Sequence, residues 1–116
     1  MKKIFVVDDD EDILEVVRIS LEFYGFEVRT DSTGANVPEM VQEYQPNLIL
    51  LNIFLPGKSG TKICKEIKKV HSKIPVILFS AHAEKGKSFS EYNADGFIQK
   101  PFDILQFVNT IKSYLN

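Results

Sequence analysis

Four places in the chain set a polar residue where a short apolar run ends: Asp8, Asp9 and Asp10 after "IFVV", Asn52 after "LILL", Ser80 after "VILF", and Lys100 closing "GFIQK". Clustered carboxylates hold a hard divalent cation such as Mg2+, while a hydroxyl and an ammonium engage the oxygens of an anion such as phosphate. If the four places converge, they form a combined cation and phosphate site. Asn52 is the odd member, because an amide brings neither the charge nor the nucleophilic oxygen of a carboxylate. Each residue alone has a plainer role. Acids after a strand cap the next helix and complement its dipole, a serine closes a turn, and a lysine is usually solvated.

The elements that would position these residues follow from two alternating periodicities. "IFVV" is a short, solid apolar run rich in β-branched residues, the pattern of a strand covered on both faces. From Asp12 the spacing becomes helical, with Ile13, Leu14, Val16, Val17, Ser20, Leu21 and Tyr24 before Gly25 stops the helix. "FEVRT" alternates and predicts a more exposed second strand, and "DSTGAN" predicts a loop. A short second helix runs through Val37, Met40, Val41 and Tyr44, with Pro38 in its first turn and Pro46 beyond its end.

"NLILLN" predicts the most buried strand and "PGKSG" a loop. Ile63, Ile67 and Val70 then give a third helix a stripe facing the sheet. "IPVILFS" predicts strand four and "GFIQK" strand five. Between them Gly86, Ser88 and Ser90 weaken any fourth helix, which is short or frayed. Ile104, Phe107, Val108, Ile111 and Leu115 mark a final helix with Asp103 near its N-cap. Five repeats of strand then helix demand a parallel sheet with right-handed crossovers, a doubly wound α/β domain. Such a sheet gathers functional groups at the carboxyl ends of its central strands, where the four polar places fall.

Bulk properties exclude more than they assign. The length of 116 residues fits one domain, 1–116, and the composition, 44% hydrophobic and 26% charged, is that of an ordinary globular chain. A formal charge of −2 disfavours direct nucleic-acid or anionic-lipid binding. The lone cysteine, Cys64, fits a buried small hydrophobe in a reducing compartment. "MKKIFVVDDD" is too short in its apolar part for a signal peptide or a membrane span, so a cytoplasmic location is expected. His71 reads as surface, and His82 as incidental rather than a zinc ligand.

The segments "VVDDDEDIL", "PNLILLNIFLPGKSG", "PVILFSAH" and "ADGFIQKPF" resemble, in joint order and spacing, the receiver domain of two-component response regulators, and the resemblance covers the whole chain. It implies a flavodoxin-like (βα)5 fold with strand order 2-1-3-4-5 and phosphoryl transfer from a histidine kinase to an aspartate ending strand three, with Mg2+ bound. Carried over residue by residue, the resemblance puts metal ligation on Asp8, Asp9, the Phe54 backbone carbonyl and the Asn52 position. It makes Ser80 the hydroxyl that moves toward phosphate, Lys100 the cation contacting phosphate, Phe97 the rotating aromatic switch, and Lys100–Pro101 a candidate cis peptide. The phosphoacceptor position falls on Asn52.

An amide there disables ordinary phosphorylation while still exchanging hydrogen bonds, and the loss of one carboxylate lowers the need for Mg2+, whose binding is expected to be weakened. Asn52 is either natural or an introduced substitution. The expected function is a signalling receiver, not an enzyme, that recognises a histidine kinase or phosphotransfer protein and a downstream effector protein. It would do so through the first helix and the face built from the fourth helix, fifth strand and final helix, as a monomer or weak homodimer. Two alternatives stay open: phosphorylation of Asp8 or Asp9, and a small flavodoxin-like cofactor binder. The second lacks a phosphate loop after strand one, where acids would repel an anionic cofactor.

Overall fold

In the computed structural model, which describes residues 1–81, 89–100 and 102–115, five parallel strands form one sheet in the order β2-β1-β3-β4-β5. The strands are β1 Lys3–Val7, β2 Glu27–Asp31, β3 Leu48–Asn52, β4 Val76–Ser80 and β5 Gly96–Gln99. The described helices are α1 Glu11–Phe23, α2 Val37–Tyr44, α3 Gly60–Val70 and α4 Ile104–Ser113. The doubly wound α/β reading and its strand order therefore hold. In the fourth crossover the described residues include a 3-10 turn, Phe89–Tyr92. His82 and the Lys100–Pro101 peptide bond lie outside the described residues.

Alternation along the strands sends side chains into two cores, as a parallel sheet covered on both faces requires. Phe5, Val7, Ile49, Leu51, Val76 and Leu78 pack under α2 and α3. Ile4, Val6, Leu48, Leu50, Ile77 and Phe79 pack under α1 and α4. Each fully buried Leu, Ile or Phe contributes about 1.5–3 kcal/mol, so this double layer fixes the register that sets the strand ends. Register aligns Val7 with Leu51 and Asn52 with Phe79. The carboxyl ends of β1, β3 and β4 thus finish at one level.

Helix caps follow the sequence signals. Asp10 accepts hydrogen bonds from the Asp12 and Ile13 amides at the start of α1, and Asp103 accepts from the Gln106 amide at the start of α4. At the opposite end of the sheet, the Asp95 carboxylate accepts the Val76 amide and the Lys68 ammonium. The same ammonium also donates to the Ile74 carbonyl.

One expectation about a helix face needs correction. Val70 does not face the sheet: it is 73% exposed and lines a surface crevice with Pro38, Ile67 and His71. The buried stripe of α3 is Gly60, Ile63, Cys64 and Ile67, and His71 already ends the helix, so Val70 sits in a last turn with no strand beneath it. On α1 the buried stripe is Leu14, Val17 and Leu21, while Val16 and Tyr24 are exposed. Val16, Ile19 and Phe23 instead form a second apolar row on the solvent side. A helix hydrophobic on more than one face defeats the assignment of its core side from spacing alone.

Cys64 is buried, as its sequence context implied, and burial pushes its thiol up to about 12. The buried Tyr44 phenol donates to Glu27 Oε2 at 2.8 Å, and burial followed by that bond raises its pKa above the ordinary value. Both groups titrate higher folded than unfolded. Their contribution is therefore complete below the unfolded thiol pKa and is lost as pH rises toward the folded values. The urea midpoint should fall progressively above about pH 9. A thiol reagent at neutral pH should label Cys64 only in denaturant, and rapid labelling of the folded chain would contradict the burial.

Candidate functional site

The polar pocket is built at the carboxyl edge of the sheet from the outgoing ends of β1, β3, β4 and β5. Asp8 lies one residue past β1 and is 0% exposed. A buried carboxylate is tolerated only when its charge is paired and its lone pairs are used. Asp8 Oδ2 accepts Lys100 Nζ at 2.7 Å, and its Oδ1 accepts the Asp10 amide at 2.9 Å and Asn52 Nδ2 at 3.1 Å. Lys100 also places its ammonium 4.6 Å from the centre of the Phe79 ring, a cation–π contact that holds the stem. Its backbone amide donates to the Ser80 carbonyl at 2.8 Å, which fixes where β5 leaves the sheet.

Asn52 is 6% exposed and is the centre of the pocket. Its Nδ2 donates to Asp8 Oδ1, to Asp9 Oδ1 at 3.3 Å and to the Phe54 carbonyl at 3.0 Å, while its Oδ1 accepts the Phe54 amide at 3.4 Å. Every acceptor faces the nitrogen and the one donor faces the oxygen, which orients the amide. Ser80, 1% exposed, ends β4 one residue past Phe79, the register partner of Asn52. Phe97 lies lower on β5, opposite Leu78, and packs partly buried against the core under α2 and α3.

The structure therefore brings Asp8, Asp9, Asn52, the Phe54 carbonyl and Lys100 into direct contact. It sets Ser80 on the adjoining strand end and Phe97 a step below the rim. Asp10 keeps the plainer role of helix cap. With Asp8 and Asp9 against Lys100, the pocket retains one net negative charge. Among the described residues no group of three or more His, Cys, Asp or Glu side chains is placed to hold a metal ion. The oxygens that would receive a hard cation, on Asp8, Asp9 and Phe54, already converge on the Asn52 amide nitrogen. As arranged, they do not fit Mg2+.

Gly60 was not singled out from the sequence. It opens α3, donates its amide to the Ile53 carbonyl at 2.8 Å, and lies with its Cα against the Asn52 carbonyl. The signal was present in "KSG" at a strand-to-helix junction, where Ser59 caps the helix and the next residue abuts the strand end.

A flavodoxin-like α/β sheet with acids, a hydroxyl and a lysine at its switch-point edge defines the class of domain. The family model described as the response regulator receiver domain matches residues 4–112, and the chain belongs to that family. It is similar to the receiver domain of NtrX from Brucella abortus, with 33% identity, TM-score 0.90 and 97% of each chain covered. Against a longer NtrX structure from the same organism the identity is 32% and the TM-score 0.91, covering 97% of this chain and 27% of that one. A CheY-like receiver domain protein from Methanospirillum hungatei JF-1 shows 31% identity and TM-score 0.92, covering 99% of this chain and 94% of that one.

Proposed function

We propose that this receiver domain takes no phosphoryl group at Asn52 and signals by binding. Its partners are a histidine kinase or phosphotransfer protein and a downstream effector protein, met in the cytoplasm as a monomer or weak homodimer and without catalytic turnover of its own. The observation that carries this reading is the orientation of Asn52 at the position where the family's phosphoacceptor aspartate falls. Its nitrogen points into the acid pair and its oxygen is turned to the Phe54 amide, so the strand end presents no nucleophilic carboxylate. The outer face of α1 supports a binding role: Val16, Ile19 and Phe23 recur at i, i+3 and i+7, the anchor spacing of helix-in-groove recognition.

Incubation with a small acyl phosphate and Mg2+, followed by intact mass, tests the proposal. The chain should stay unmodified, while the Asn52→Asp variant gains about 80 Da, one phosphoryl group. The rival acceptor is Asp9, which is exposed and uses one oxygen on Asn52, whereas both Asp8 oxygens are engaged. An adduct of about 80 Da on the unaltered chain would overturn the proposal in favour of that rival.

A further inference from the structure

We infer that the Asn52 amide group takes the place of the divalent cation in this pocket, tying together the loops that follow β1 and β3 so that the domain is structurally complete without metal. The inference deepens the binding-only function and rests on identifying this pocket with the receiver's acid pocket, but not on whether Asn52 is phosphorylated.

One –NH2 group carries two polarised hydrogens and here serves three oxygens, at 3.0, 3.1 and 3.3 Å, from three separate residues. Asp8 and Asp9 belong to the turn between β1 and α1, and Phe54 to the loop between β3 and α3. Mg2+ would draw the same oxygens to about 2.1 Å in octahedral geometry. The pocket is instead set at hydrogen-bond spacing, with donor hydrogens filling the point where the oxygens converge.

The amide cannot simply rotate to become a ligand. Turning it would aim Oδ1 at Asp8 Oδ1, Asp9 Oδ1 and the Phe54 carbonyl, acceptor against acceptors. It would also set Nδ2 against the Phe54 amide, donor against donor. On the far side of the pocket Lys100 already balances the second oxygen of Asp8. A cation seated where the three oxygens converge must displace the amide's bonds to them, and it meets one carboxylate fewer than an aspartate at position 52 would supply.

Melting in metal-free buffer and in millimolar MgCl2, together with water-proton relaxation during Mn2+ titration, separates the outcomes for the unaltered chain, Asn52→Asp and Asn52→Ala. Asn52→Asp should bind either ion at least tenfold more tightly than the unaltered chain, a gap of roughly 1.4 kcal/mol. Asn52→Ala removes the tie without restoring the acid. It should melt lower than the unaltered chain in metal-free buffer and gain more from Mg2+. The inference is overturned if the unaltered chain matches Asn52→Asp in affinity, or if Asn52→Ala keeps both the melting point and the Mg2+ response of the unaltered chain. Should Asn52→Ala not fold, the Mn2+ comparison between the other two decides. A phosphoryl adduct would defeat the proposed function and leave this inference standing; tight Mg2+ binding without an adduct would do the reverse.

Discussion

Replacing Gly60 by alanine should cost about 3 kcal/mol of folding stability, one of the largest single-site losses in the domain. A Cβ at Gly60 would fall inside the van der Waals envelope of the Asn52 carbonyl oxygen, and would also lie 2.9 Å from Asn52 C and 3.0 Å from Ile53 Cα. All three neighbours are backbone, so no rotamer change relieves the overlap. Either α3 slides outward, losing part of the packing of Ile63 and Ile67, or the end of β3 retreats and carries Asn52 away from Asp8 and Asp9. Gly57 is the natural comparator, because a Cβ there meets open space and suffers only from its φ of +77°. Gly57→Ala should cost about 1 kcal/mol. Urea denaturation of both variants checks the contrast, and equal losses would refute the steric origin.

The second large effect is expected from Lys100→Met. The substitution keeps an apolar stem beside the Phe79 ring and removes the ammonium that lies 2.7 Å from Asp8 Oδ2. Removing one partner of a buried pair leaves the other charge uncompensated, which typically costs 3–5 kcal/mol. Here the Lys100 side chain is 17% exposed, so water reaches part of the gap, and Asp8 keeps its two N–H donors on Oδ1. A loss of about 2–3 kcal/mol follows. Adding Asp8→Asn should return part of it, because the buried charge disappears, and a double-mutant cycle should give a coupling above about 1 kcal/mol. Additive losses would mean that the pair contributes little beyond its separate contacts.

The parallel sheet and the polar residues at its carboxyl edge were legible because "IFVV", "LILL" and "VILF" are short, solid apolar runs, each closed by a polar residue, whereas the strand order came from the family resemblance. A run buried on both faces has one register in which all its side chains find cores, so its end is placed as firmly as its middle. Amphipathic α3 disclosed Ile63 and Ile67 for the same reason. Val70 misled because helical spacing fixes the direction of a side chain and not whether a strand lies beneath it. On α1 two apolar rows compete, and only packing selects Leu14, Val17 and Leu21 for the core. The pocket's membership was readable from residue types, whereas the orientation of the Asn52 amide was not, since an amide offers a donor and an acceptor at nearly equal size. Gly60 was missed because closeness between a helix start and a strand end is a tertiary fact with only a faint local trace.

The Asp95 carboxylate accepts the Val76 amide across a separation of 19 residues, so the fourth crossover is fastened shut at its base. Lys68 strengthens the fastening by reaching both Asp95 and the Ile74 carbonyl from α3. The Asp95–Val76 bond ties the start of β4 to the residue before β5, and the entropy of lengthening a closed loop grows only slowly with the residues added. Lengthening this crossover is therefore thermodynamically cheap. A lineage could remodel this flank to suit new associates without rebuilding the acid-and-amide nest beside it.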